Sequence, residues 1–305
     1  MAHWLRRHVP ITSTIALLLL ARSGEAQTIV APNCGAGVHE VEASGAVLFP
    51  QDQLFCPLLA DPKEPRSFVS YLRGEFRTLN DPSGEGTNIG SVGLGDSFGL
   101  VRWGGPTPGE GVQLDLVGGI FAQFDVGTPS FDLINADYVV GLPLTIRRSG
   151  FSARIRLYHQ SSHLGDEYLL RGEEIERENL SFESVELLLS QEIGPLRAYA
   201  GTERLFRREP DALAAQLLHA GLELRTGRAG PLRLVSAVDL KATEQHDWSP
   251  AISARAGLEL TRSAAAGHPA RLVALVFELY QGPSPYGQFF QDDIAYVGFG
   301  FHVGF

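Results

Sequence analysis

The sequence predicts an all-β fold, a transmembrane antiparallel up-and-down β-barrel of about 12 strands, on three observations. From about Arg66 onward, apolar residues recur with a period of two. Phe151, Ala153, Ile155 and Leu157 alternate with Ser152, Arg154, Arg156 and Tyr158, and Leu232, Leu234, Val238 and Leu240 are interleaved with Arg233, Asp239 and Lys241. Successive side chains of a strand point to opposite faces, so each segment has one greasy and one polar face. The breaks between segments also alternate in length: Thr78–Asn88, Gly127–Asn135 and Ser162–Glu178 are long, whereas Ser149-Gly150 and Gly194-Pro195 are tight. Long loops on one side and short turns on the other are the layout of a membrane barrel. Finally, the chain closes on Val297, Phe299, Phe301, Val303 and Phe305, with Gly298, Gly300, His302 and Gly304 on the opposite face. A soluble sandwich alternates too, but it gains nothing from an apolar row that ends on the last residue.

At the other end, Arg6 and Arg7 precede an apolar run, Ile11 to Ala21, and the small residues around Gly24-Glu25-Ala26. This reads as a signal peptide over residues 1–26, with the mature chain starting at Gln27. The run is too short to span a bilayer well. Cleavage takes Lys+Arg from 25 to 22 and Asp+Glu from 35 to 34, moving the formal charge from −10 to −12. An acidic chain without basic runs argues against nucleic acid as a partner. The rest of the sequence has no long uncharged apolar stretch, so no helical span is expected. The expected location is the cell outer membrane of a Gram-negative bacterium.

Residues 27–65 are expected to form a periplasmic N-terminal segment that packs under or plugs a barrel of residues 66–305. Cys34 and Cys56 both precede the periodic region. An oxidising periplasm permits one disulfide between them, but sequence spacing leaves the pairing open.

The strand centres are expected near Leu72, Leu94, Ile120, Leu142, Ile155, Val185, Tyr199, Leu218, Val235, Gly257, Leu275 and Phe299. With both barrel ends in the periplasm, the long loops face the exterior. Parity then turns Asp115, Arg147, Arg154, Arg156, Glu186, Arg197, Glu203, Glu223, Arg225, Arg233, Asp239, Lys241, Arg255, Glu259 and Glu278 inward. Each buried charge needs a partner, which favours a salt-bridged filling over a polar pore. Trp103 and Trp248 suit interfacial belts.

Polar residues concentrate in Tyr158 to Glu167, which closes the fifth expected strand near the outer leaflet. Continuing Phe151, Ala153, Ile155 and Leu157 brings His159 and Ser161 onto the lipid-facing side. A serine hydroxyl is a poor nucleophile until a base takes its proton, and a histidine base needs a third group to hold its tautomer. The following strand offers Asn179 and Glu183 on the same outer face, and the loop between adds Glu173. These five are the candidate catalytic residues. The choice of orienting group depends on strand register.

The His159-x-Ser161 pair on an outward strand resembles the His-x-Ser of outer-membrane phospholipase A and of the lipid A deacylases. Those enzymes attack lipid esters from the barrel's outer wall. The resemblance implies a lipid or ester hydrolase acting at the outer leaflet. Where phospholipase A has Ser-Asn-Gly, this chain has Ser161-Ser162-His163, so the likeness fixes neither the orienting residue nor a calcium site. No cofactor is expected, and calcium stays open. A much longer resemblance is to an uncharacterised bacterial family, domain of unknown function 1207, through Leu48-Phe49-Pro50, Leu59 to Arg66, His159 to Glu167, Asn179 to Glu183 and Ser284 to Phe289. That family implies no activity. The C-terminal row, ending on Phe305, resembles the signal read by the barrel-assembly machinery. Outer-membrane lipid and lipopolysaccharide are the other expected partners. The alternative to a hydrolase is a non-enzymatic barrel, either a narrow channel or a structural, lipopolysaccharide-binding protein.

Overall fold

The computed structural model describes residues 45–76, 86–105, 109–170, 179–226, 232–262 and 271–304. The expected signal peptide, Cys34, Glu173 and Phe305 lie outside them. Alternating segments become strands: β1 Ala46–Leu48, β2 Ser67–Phe76, β3 Thr87–Gly104, β4 Gly111–Asp125, β5 Asp132–Arg148, β6 Phe151–Leu164 and β7 Leu180–Ile193. They continue with β8 Leu196–Glu209, β9 Gln216–Arg225, β10 Leu232–Thr243, β11 Pro250–Arg262, β12 Arg271–Pro283 and β13 Asp293–Gly304. From β2 onward every strand pairs antiparallel with the next, and β13 pairs with β2 (Val303 opposite Ser67, Ile294 opposite Phe76), closing a barrel of 12 strands. All the expected strand centres fall within these elements. Closure pairs the first wall strand with the last, so the described barrel ends on no free terminal strand.

The wall sorts residues as the alternation requires. Leu142, Leu144, Ile146, Phe151, Ile155, Leu157, Leu187 and Phe299 are exposed on the outside, while Arg154, Arg156, Glu186, Glu223, Glu259 and Glu278 are buried inside. The described part of the C-terminal row follows suit. Its glycine face is needed, because a Cβ at Gly300 would overlap the Glu278 carboxylate and lie 2.6 Å from Ser70 Oγ.

The N-terminal segment is the feature that alternation does not describe. Over residues 45–65 it packs on and inside the barrel rather than standing as a separate unit. Strand β1 lies against β3 (Ala46 opposite Trp103, Leu48 opposite Val101), and β2 takes a further stretch of the same edge, Thr87 to Gly93. Between them the chain leaves the wall and runs through the barrel interior. Leu54, Phe55, Cys56, Leu58, Leu59, Ala60, Asp61 and Glu64 are all buried there. Cys56 is disulfide-bonded; its expected partner, Cys34, lies outside the described residues.

An irregular backbone at this depth is tolerated only if its polar groups are satisfied by protein, and the inward arginines supply the donors. Arg102 donates to Asp52 O (2.7 Å), Arg147 to Leu54 O (3.3 Å), Arg197 to Cys56 O (2.9 Å) and Arg255 to Leu59 O (2.9 Å). Leu59 N donates to Glu223 at 2.6 Å. Side chains of the segment complete the network through Lys63–Asp137 (2.5 Å), Asp61–Lys241 (2.7 Å) and Glu64–Arg154 (2.7 Å). The inward charges therefore fill the barrel together with an inserted stretch of chain, the arrangement a closed and filled lumen requires rather than an open pore.

Candidate active site

The outward row at the top of β6 continues past the apolar band. Leu157 is an exposed lipid-facing residue, and the next two outward positions are His159 and Ser161, while Tyr158, Gln160 and Ser162 are buried on the inner face. Strand pairing sets what stands beside them. His159 is directly opposite Glu183 on β7, and Ser161 is opposite Ser181. His159 Nδ1 lies 3.4 Å from a Glu183 oxygen, with the two side chains 43% and 30% exposed. The other Glu183 oxygen lies 3.6 Å from Arg207 Nε on β8. A register shift between Glu183 and Ser184 puts Glu183 opposite Arg207 and Ser184 opposite Leu205. Such a bulge re-aims side chains locally.

Of the three groups that sequence offered to orient the histidine, register selects one. Glu183 meets the ring. Asn179 does not: its amide donates to Glu209 at 3.1 Å, toward β8 and away from β6. Glu173 lies outside the described residues. Ser161 and His159 share one strand face two positions apart, about 7 Å between Cα atoms. Among the described residues the Ser161 hydroxyl makes no hydrogen bond. A serine free of competing partners can turn toward the ring when a substrate excludes water, since such contacts commonly tighten only in the complex. With Nδ1 turned to a carboxylate, the other ring nitrogen has no protein partner among the described residues, and a nucleophile–base pair needs such a nitrogen. Among the described residues, no group of three or more metal-type side chains stands ready to hold an ion.

The neighbouring serine has a different setting. Ser162 points inward, bonds to Asp137, and accepts from Gln288 N at 3.1 Å. Asp137 also takes Lys63 of the inserted segment and Gly287 N (3.2 Å). This cluster ties the 3₁₀ turn Gly287–Phe289 of the loop between β12 and β13 to the wall and to the inserted chain. Tyr286 is buried beside it, which pushes its phenol up to about 12. Beyond this cluster a cavity of about 170 Å³ opens at the same end of the barrel, bordered by Lys63, Phe182, Glu203, Leu213, Lys241 and Phe290. Sequence reasoning missed this cavity, because its walls come from strands and loops far apart in the chain.

Solved structures with this architecture include the dimeric outer membrane phospholipase of Salmonella typhi with bound calcium, at 12% identity and a TM-score of 0.54, covering 82% of this chain and 94% of that one. An active-site mutant of outer membrane phospholipase A from Escherichia coli is similar at 12% identity and a TM-score of 0.52, covering 82% and 93%. At this identity the likeness is one of fold. No curated protein sequence matches the chain. A family model described as a protein of unknown function (DUF1207) matches residues 20–305, and the chain belongs to that family.

Proposed function

We propose that this protein is an outer-membrane barrel that hydrolyses lipid esters at the outer leaflet, with Ser161 as nucleophile, His159 as base and Glu183 as the group that holds the ring. The observation that carries the reading is the cross-strand contact of His159 with Glu183 on the outward face, with Ser161 next along the same row. An imidazole fixed by a carboxylate beside a serine is the arrangement that activates a hydroxyl. Its position next to the exposed apolar residues Leu157 and Val185 supports a height near the ester groups of a bilayer. The fold likeness to outer membrane phospholipases supports the membrane location.

In this reading Ser161 Oγ attacks the ester carbonyl while His159 takes its proton. The alkoxide of the lysolipid leaves with that proton, and water then releases the fatty acid by the same route in reverse, regenerating the serine. The test is fatty-acid release by the purified barrel from mixed micelles of detergent and phospholipid. Wild type should release lysolipid and fatty acid in equal amounts, and Ser161→Ala should release neither above background. Hydrolysis that survives in Ser161→Ala, or a folded wild type inactive on phospholipid and lipid A esters alike, overturns the proposal.

A further inference from the structure

Beside the candidate pair, the outer wall carries two arginines that the proposed chemistry does not use. Three outward rows cross β6, β7 and β8 at this height: Leu157–Val185–Arg204, His159–Glu183–Arg207 and Ser161–Ser181–Glu209. Leu157 and Val185 are exposed apolar residues of the lipid-facing band, so Arg204 stands level with the top of that band. It is exposed, and among the described residues its guanidinium has no ion pair or hydrogen bond; its carbonyl accepts from Ser184 Oγ at 3.0 Å. Its neighbour across β9 is Gln216, which carries no charge. Arg207 is 78% exposed, and its nearest approach to Glu183 is through Nε at 3.6 Å, longer than a hydrogen bond. Glu209, the acid on the row above, accepts from Asn179 at 3.1 Å.

An unpaired arginine on a lipid-facing wall is costly at the bilayer midplane and nearly free at the interface. Its long stem lets the head rise to the headgroup level. There the available counter-ion is a lipid phosphate, whose oxygens match the planar guanidinium fork. Arg207 lies two strand spacings from His159, about 10 Å. A phosphate seated on the two arginines would thus leave its own acyl esters within reach of Ser161.

We infer that Arg204 and Arg207 form a clamp for the headgroup phosphate of a membrane lipid, which makes a phosphate-bearing lipid the substrate class of the adjacent site. The inference rests on the lipid-hydrolase reading for its purpose, but the clamp is testable without turnover. Ser161→Ala barrel is purified in neutral detergent, mixed with phosphatidic acid or with diacylglycerol of the same chains, and examined by native mass spectrometry. The expected result is retention of phosphatidic acid well above diacylglycerol. Arg204→Gln with Arg207→Gln should lower that retention about tenfold to a hundredfold, the worth of one or two charge-assisted hydrogen bonds. Diacylglycerol retention should not change. Excess inorganic phosphate should compete poorly, because it lacks the chains that hold the lipid to the wall. Equal retention of the two lipids, phosphatidic acid retention unchanged in the double variant, or its full displacement by inorganic phosphate each overturns the clamp. Loss of hydrolysis in Ser161→Ala with binding intact belongs to the catalytic reading alone, so the two failures are separable.

Discussion

Arg154→Ala is expected to destabilise the barrel by about 3–5 kcal/mol, the cost of leaving a buried carboxylate without its partner. Arg154 pairs with Glu64 of the inserted segment at 2.7 Å and with Glu186 of β7 at 2.9 Å. Its guanidinium also covers the Phe55 ring, 4.5 Å from the centroid. Arg156 can shield part of the loss, since it stands 2.7 Å from Glu186, but it is 3.9 Å from Glu64. Glu64 is therefore the group left exposed to the full penalty. Urea unfolding in detergent micelles reads the effect as a lower midpoint at constant slope. Adding Glu64→Gln should recover part of the stability by removing the orphaned charge, although the amide still lacks the original donors. A change below about 1 kcal/mol, the worth of an exposed pair, would show that the inserted segment is not held in the lumen by these contacts.

The second large effect is kinetic. In the phospholipid assay, His159→Ala should fall as far as Ser161→Ala, about 10³–10⁶-fold, and the double variant should fall no further, because nucleophile and base act as one unit. Glu183→Gln should cost less, about 10²–10⁴-fold, since it removes the charge that steadies the imidazolium but leaves an acceptor beside the ring. Asn179→Ala should leave turnover close to wild type, because its amide is engaged with Glu209 rather than His159. If Asn179→Ala and Glu183→Gln exchanged these ranks, the register-based assignment of the orienting group would be wrong.

Much of this was legible in the sequence because strand alternation is local. Phe151 to Leu157 declares two faces without reference to any other strand, and from that come the strand count and the inward set from Asp115 to Glu278. Parity alone also carries His159 and Ser161 to the outside. What was not legible depends on pairing. Choosing Glu183 over Asn179 needed the register of β6 on β7. The course of residues 49–66 was harder still. That stretch has no period to read, and its backbone is satisfied by Arg102, Arg147, Arg197 and Arg255 from different strands, which converge only when the barrel closes. Arg204 and Arg207 passed unnoticed for a related reason: in the sequence they are two basic residues near a strand end, and only the three-strand rows bring them alongside the histidine.

The central claim is that the outer wall carries an activated serine facing lipid, and the most direct measurement is covalent labelling of membranes containing the intact barrel with a long-chain fluorophosphonate. An activated hydroxyl displaces fluoride and keeps the phosphonyl group, so peptide mass spectrometry locates it. The account predicts an adduct on Ser161 that disappears in His159→Ala, with the neighbouring Ser162, held inside against Asp137, unmodified. No adduct on Ser161 in the folded protein, or an adduct that persists without His159, would contradict it.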